Sequence, residues 1–133
     1  MQARLPPSHH YDVEVRKEFT MLIMRLFDLW RLTPDQKALL LGHSPKTRST
    51  ILNYKNGSHP IANNRDLIDR IGHLLAIHKA LRILLPENKD LAYQWPTTKN
   101  KFFENKTPVE VISDEGFEGL LKVRAYIENQ LVS

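Results

Sequence analysis

Six histidines are the first residues whose type could do chemistry in this chain. Their spacing argues against a metal site. His9 and His10 are adjacent near the N-terminus. His73 and His78 are five apart, which misses the i, i+4 spacing that sets two ligands on one helix face. His78 falls on the apolar side of a helical pattern, where a hydrogen-bonded core position is the simpler reading. There is no cysteine, so thiolate ligation and disulfides are excluded. The five glycines form no phosphate-cradling loop. No Ser/His/Asp order falls on recognisable turns, and no carboxylates pair at helical spacing in a setting that would raise a pKa. The chain therefore reads as a non-enzyme, with no catalytic residues, no metal and no cofactor.

Charge is the stronger signal. The net charge is +4, but it is unevenly spread. Residues 1–85 carry 13 Lys and Arg against 7 Asp and Glu, whereas residues 86–133 carry 6 against 8. Between Asp35 and Asp66 there is no acidic residue, while Lys37, Lys46, Arg48, Lys55 and Arg65 all fall there. Such a stretch attracts phosphate, because neutralising phosphate releases counterions. A merely solvated basic face is the alternative.

The elements that must position these residues follow from periodicity and caps. With 133 residues and 41% apolar content the chain suits one domain, or two small helical lobes sharing a core. No apolar run approaches the roughly 18 residues that span a bilayer, and residues 1–15 lack a secretory apolar core. A cytoplasmic protein with no membrane partner is expected. Residues 1–12 read as a flexible arm. A helix fits 13–30, its stripe being Val15, Phe19, Leu22, Ile23, Leu26, Phe27 and Trp30. Thr33-Pro34-Asp35-Gln36 is a capping box with the favoured proline, starting a short helix that stops at Gly42. A second short helix over 47–55 ends at Asn56-Gly57. A long helix over 65–85 turns Leu67, Ile68, Ile71, Leu74, Leu75, His78, Leu81 and Leu85 inward, and Pro86 closes it. A short helix at 88–95, a polar loop at 97–105, a start at Thr107-Pro108-Val109-Glu110, a break at Gly116 and a last helix over 117–132 complete the pattern. That last helix carries Leu120, Leu121, Val123, Ile127 and Leu131. The fold class is all-α.

The segment 32–57, LTPDQKALLLGHSPKTRSTILNYKNG, resembles a helix-turn-helix of the Xre type. Ala38 stands where the two helices cross and Gly42 begins the turn. The common form has an apolar residue six positions after that glycine, and here the position is Arg48. A turn about three residues longer puts Ile51 and Tyr54 on the core instead. Arg48, Ser49, Thr50 and Asn53 are then left outside to read base edges, with Lys46 and Lys55 on phosphates. A helical hairpin that touches no nucleic acid is the alternative.

The C-terminal half carries a second resemblance. Leu91-Ala92-Tyr93-Gln94-Trp95, Asn100-Lys101-Phe102-Phe103, Thr107-Pro108-Val109-Glu110-Val111-Ile112 and Gly116 occur in the order found in the MbcA/ParS/Xre antitoxins. Together the two resemblances cover about residues 15–132. A glycine is common before the Thr-Pro start, and here Asn105, which tolerates positive φ, stands in that stretch. The resemblance implies a helix-turn-helix region over 13–85 and a toxin-binding region over 86–133. It implies a homodimer that binds its own operator DNA and blocks the active site of a RES-domain, NAD-consuming toxin. The expected toxin-binding residues are Trp95, Phe102, Phe103, Leu131, Val132 and Ser133. Trp95 is also an ordinary core candidate, and the two phenylalanines cannot both face one core from an extended loop. A stand-alone helix-turn-helix regulator with a C-terminal dimerisation or ligand domain is the alternative function.

Overall fold

The computed structural model describes the backbone of residues 11–44 and 48–132, and the side chains of all of these except Arg48. Most of the expected arm, together with Lys46 and Ser133, therefore lies outside the described residues. The elements are α1 (Val13–Leu29), α2 (Pro34–Leu40), α3 (Arg48–Asn56), α4 (Arg65–Leu84), α5 (Lys89–Gln94) and α6 (Pro108–Leu131). Two single 3-10 turns, Trp95–Thr97 and Lys101–Phe103, lie between α5 and α6. The fold is all-α. Among the described residues the only β feature is an isolated bridge between Asn100 and Lys106, and no helix is long and apolar enough to cross a membrane.

Helix starts follow the local chemistry closely. Thr33 Oγ1 accepts the Gln36 N–H at 3.2 Å, and Gln36 Oε1 accepts the Thr33 N–H at 2.8 Å. Thr107 and Glu110 repeat this reciprocal box at the start of α6, at 3.0 and 2.8 Å. Each box satisfies two N–H groups that the first turn would leave unpaired. Asn64 and Asn88 cap α4 and α5 through single side-chain bonds. Helix α6 is interrupted where expected, at Gly116, whose φ of 65° and ψ of −139° lie outside the helical region. Just beyond, Gly119 leaves no room for a side chain, because a Cβ there would run into the Val111 carbonyl oxygen.

One cluster of buried side chains runs from Ile23 to Ile127 and takes residues from both halves of the chain. Helix α4 is its axis. It packs against α1 on one side and α6 on the other, and α6 also packs on α2. Several inward assignments need correction. Leu22 is 44% exposed, while Thr20 and Met24 are buried in its place. On α4 the buried set also includes Ile77 and Ala80, which the stripe omitted, and His78 is only half-buried; Leu75 and Leu85 do pack against the core, half-buried. Leu121 and Leu131 of the last helix face solvent. The segment 97–105, read as a plain loop, contains a 3-10 turn and the bridge at Asn100.

The chain after α3 is held down by two α1 side chains. Thr20 Oγ1 accepts the Ile61 N–H at 2.8 Å, and Arg16 Nη1 donates to the Ile61 carbonyl at 3.0 Å. Ile61 itself is fully buried. These bonds fix where α3 ends relative to α1.

Overpacking at the kink gives a test. Gly119→Ala should lower unfolding free energy by about 1–3 kcal/mol, more than Thr107→Ala, which removes one cap at a cost of about 1 kcal/mol. Urea denaturation followed by circular dichroism measures both. Equal or higher stability in Gly119→Ala would contradict the close approach to Val111.

Candidate nucleic-acid interface and partner surface

Helices α2 and α3 pack against each other across a turn that begins at Gly42. Gly42 sits at φ 79°, and the next amide, His43 N–H, donates to the Ala38 carbonyl at 2.8 Å. Residues 45–47 are not described. In α3, Ile51 and Tyr54 are buried, as expected. A helix turns about 100° per residue, so burying these two sends Ser49, Leu52, Asn53 and Asn56 to the opposite side. Ser49, Leu52 and Asn56 are exposed and Asn53 is half-buried. Thr50 is half-buried and stands nearer the core.

The expected DNA-contact set is therefore partly regrouped. Ser49 and Asn53 share one face. Lys55 is exposed but leaves that face, lining a groove of about 630 Å³ between α1 and the end of α3, with Met21, Met24, Arg25 and Tyr54. The side chain of Arg48 lies outside the described set, as does Lys46. Leu52 and Asn56, outside the expected set, share the face of Ser49 and Asn53. Leu52 is 55% exposed, and an apolar side chain on such a face suits a thymine methyl group. The periodicity set by Ile51 and Tyr54 contained this signal.

Arg70 of α4 ties the turn to the C-terminal half. Its guanidinium fills the space a Cβ at Gly42 would need, and it lies 5.6 Å from the Phe117 ring centroid in α6. His73, one turn further along α4, meets the same ring edge-on and bonds Arg124 through Nδ1 at 2.7 Å.

On the other flank, three aromatic rings surround Tyr126 of α6. Trp95 stacks nearly parallel to it, with centroids 6.2 Å apart. Phe102 lies 4.4 Å away and Phe103 5.3 Å away. Asn100 shapes this segment, its side chain accepting the Phe102 N–H at 2.8 Å. Glu104 and Asn105 then both take left-handed backbone, at φ 57° and 66°, so Asn105 supplies the positive φ that a glycine was expected to give. Phe103 turns into the core, which corrects its assignment to a partner surface, while Phe102 stays 62% exposed. Trp95 is half-buried. Tyr126, the ring that organises the other three, was missed because nothing in its spacing marks it.

Leu131 and Val132 do not join this cluster. Leu131 is five residues beyond Tyr126, about 140° around the helix. It lines up instead with exposed Phe117 and Leu121 and with the ion pair of Arg124 and Glu128 at 3.1 Å. Val132 is 85% exposed at the helix end. The expected toxin-binding residues thus fall on two flanks of α6.

Three histidines have pKa values below their ordinary range. Burial lowers the pKa of His43, His73 and His78, with a further lowering from Arg70, Arg124 and Arg82 respectively. Asp69 and Glu128 act in the opposite sense on His73. A base with a depressed folded pKa binds protons more readily once unfolded, so stability rises with pH between the two values. The contribution is complete above about 6.5, the unfolded value, and declines as pH falls below it. Thermal melting should give a lower Tm at pH 5.5 than at pH 7.5. A flat Tm across that range would show that these rings are not protected from protonation.

The chain is 33% identical over 106 residues to the uncharacterized protein y4oB of Sinorhizobium fredii, an alignment covering 80% of this chain and 78% of that protein. No protein-family model matches the chain, and no solved structure matches it.

Proposed function

The chain belongs to the same family as y4oB of Sinorhizobium fredii, and we propose that it is the antitoxin of a type II toxin–antitoxin pair. It binds a RES-domain, NAD-consuming toxin through its C-terminal half, closes the entrance to the toxin's active site, and represses its own operon as a homodimer on operator DNA. The toxin is inhibited by steric exclusion, so the antitoxin needs no catalytic group.

The observation that carries this reading is Phe102. A large ring 62% exposed has little reason to be ordered in an isolated chain. Here it is braced by Tyr126 and by Phe103 at 5.2 Å. A rigid exposed aromatic loses little entropy on binding, which is the character of an interface anchor. Lys99 and Lys101 flank it with charge, as at a polar rim. The order of Trp95, Asn100, Thr107-Pro108 and Gly116 in the resemblance supports the choice of partner.

Operator binding rests on the acid-free stretch and on the outward face of α3. Ser49, Leu52 and Asn53 offer a hydroxyl, an apolar group and an amide to base edges, while Arg48 precedes them. Lys55, displaced toward α1, suits a phosphate at the flank of the site.

Two measurements test the halves of this reading separately. Phe102→Asp should keep its helical circular dichroism and its operator affinity yet fail to protect cells that express a RES-domain toxin encoded beside this gene. Arg48→Ala or Asn53→Ala should lose about 1–3 kcal/mol of affinity for the specific site while still protecting. Full protection by folded Phe102→Asp, or unchanged operator affinity in both α3 variants, would remove the corresponding half.

A further inference from the structure

The outward face of α1 carries an apolar pair set between opposite charges. Met21 and Leu22 are 57% and 44% exposed. Glu18 stands about one turn before them and Arg25 about one turn after, and both are exposed. Positions 18, 21, 22 and 25 are three and four apart, so they form one stripe along the helix. The neighbouring charges are already engaged, Lys17 with Glu14 at 3.5 Å and Asp28 with Lys37 at 3.9 Å. Glu18 and Arg25 have no ion-pair or hydrogen-bond partner for their side chains among the described residues.

The stripe is complementary to itself when read in the opposite direction. We propose that a second copy of this chain docks here, its α1 antiparallel to the first, about a two-fold axis between Met21 and Leu22. Met21 of each copy then meets Leu22 of the other. Glu18 of each copy meets Arg25 of the other, and both contacts occur twice because the interface is isologous. Other registers are worse. An axis through Met21 itself would oppose Lys17 to Arg25 and Glu14 to Asp28. A parallel pairing would oppose Glu18 to Glu18 and Arg25 to Arg25. Like charges placed opposite one another disfavour both arrangements.

The groove beside the stripe favours the same occupant. Met21 and Arg25 line it together with Met24, Tyr54 and Pro60, so the second copy has further apolar surface to lean on. Tyr54 and Lys55 at the end of α3 share that groove. The axis that pairs the two α1 helices therefore also sets the separation of the two α3 helices, which a two-fold operator requires. This surface deepens the homodimer part of the function proposed above and is independent of its toxin part.

Charge reversal tests the pairing on the full chain, without DNA or toxin. Sedimentation equilibrium at micromolar concentration should give a dimer for the wild type. Glu18→Arg and Arg25→Glu should each raise the dimer dissociation constant at least tenfold, since each homodimer then sets like charges together. An equimolar mixture of the two variants should restore the dimer, because the arginine introduced in one copy then meets the glutamate introduced in the other. Misfolded variants would not rescue one another. A wild type that is monomeric at these concentrations overturns both this surface and the homodimer reading. If the wild type is dimeric but the single variants are equally so, or their mixture stays monomeric, this surface is overturned and the homodimer reading stands. In that case the cations of the groove face another partner, such as the DNA backbone.

Discussion

Helix α4 has to satisfy two neighbours at once, and the arrangement of everything else depends on that demand. Leu67, Ile68, Ile71, Leu74, Ile77, Ala80 and Leu81 are buried along its length. They face α1 on one side and α6 on the other. A helix covered on two sides cannot be released from one neighbour without exposing apolar side chains, at roughly 25 cal/mol for each Å² returned to water. The basic N-terminal half and the acidic C-terminal half therefore share one core, and the difference in charge between them is expressed only at the surface.

Two surface regions are built outward from this core by different means. On the α3 side, burial of Ile51 and Tyr54 fixes the rotation of a short helix, while Thr20 and Arg16 fix its far end through Ile61. On the α6 side, a short irregular segment is shaped by Asn100 and by two left-handed residues, and its aromatic rings pack on Tyr126. Arg70 touches both the Gly42 turn and Phe117. It links the Gly42 turn to the flank of α6 opposite the Tyr126 cluster.

Local chemistry made much of this legible in the sequence. Thr33-Pro34 with Gln36, and Thr107-Pro108 with Glu110, encode their helix starts in adjacent residues, and both boxes form. Gly42 and Gly116 mark breaks because no other residue takes their backbone as readily. The inward face of Ile51 and Tyr54 was legible because a three-residue spacing has one helical meaning. What stayed hidden depends on which neighbour covers a face. Ile77 and Ala80 extend the expected stripe of α4 only because two helices cover it. Leu22 fits an inward stripe by spacing, yet α1 is rotated so that Thr20 and Met24 are buried instead. Tyr126 becomes a platform, and Phe103 a core residue, only once the 95–106 segment folds back onto α6. No spacing rule within either segment contains that contact.

In the function proposed above, one shared core carries two separable surfaces, α3 for DNA and the Tyr126 cluster for a protein partner. Amide hydrogen exchange on the free chain, on the chain with DNA from upstream of its gene, and on the chain mixed with a RES-domain toxin tests this directly. DNA should protect residues 48–57 and leave 95–106 unchanged. The protein partner should protect 95–106 and the region around Tyr126, and leave 48–57 unchanged. Protection of α3 by the protein partner, or of the aromatic cluster by DNA, would contradict the separation of the two surfaces.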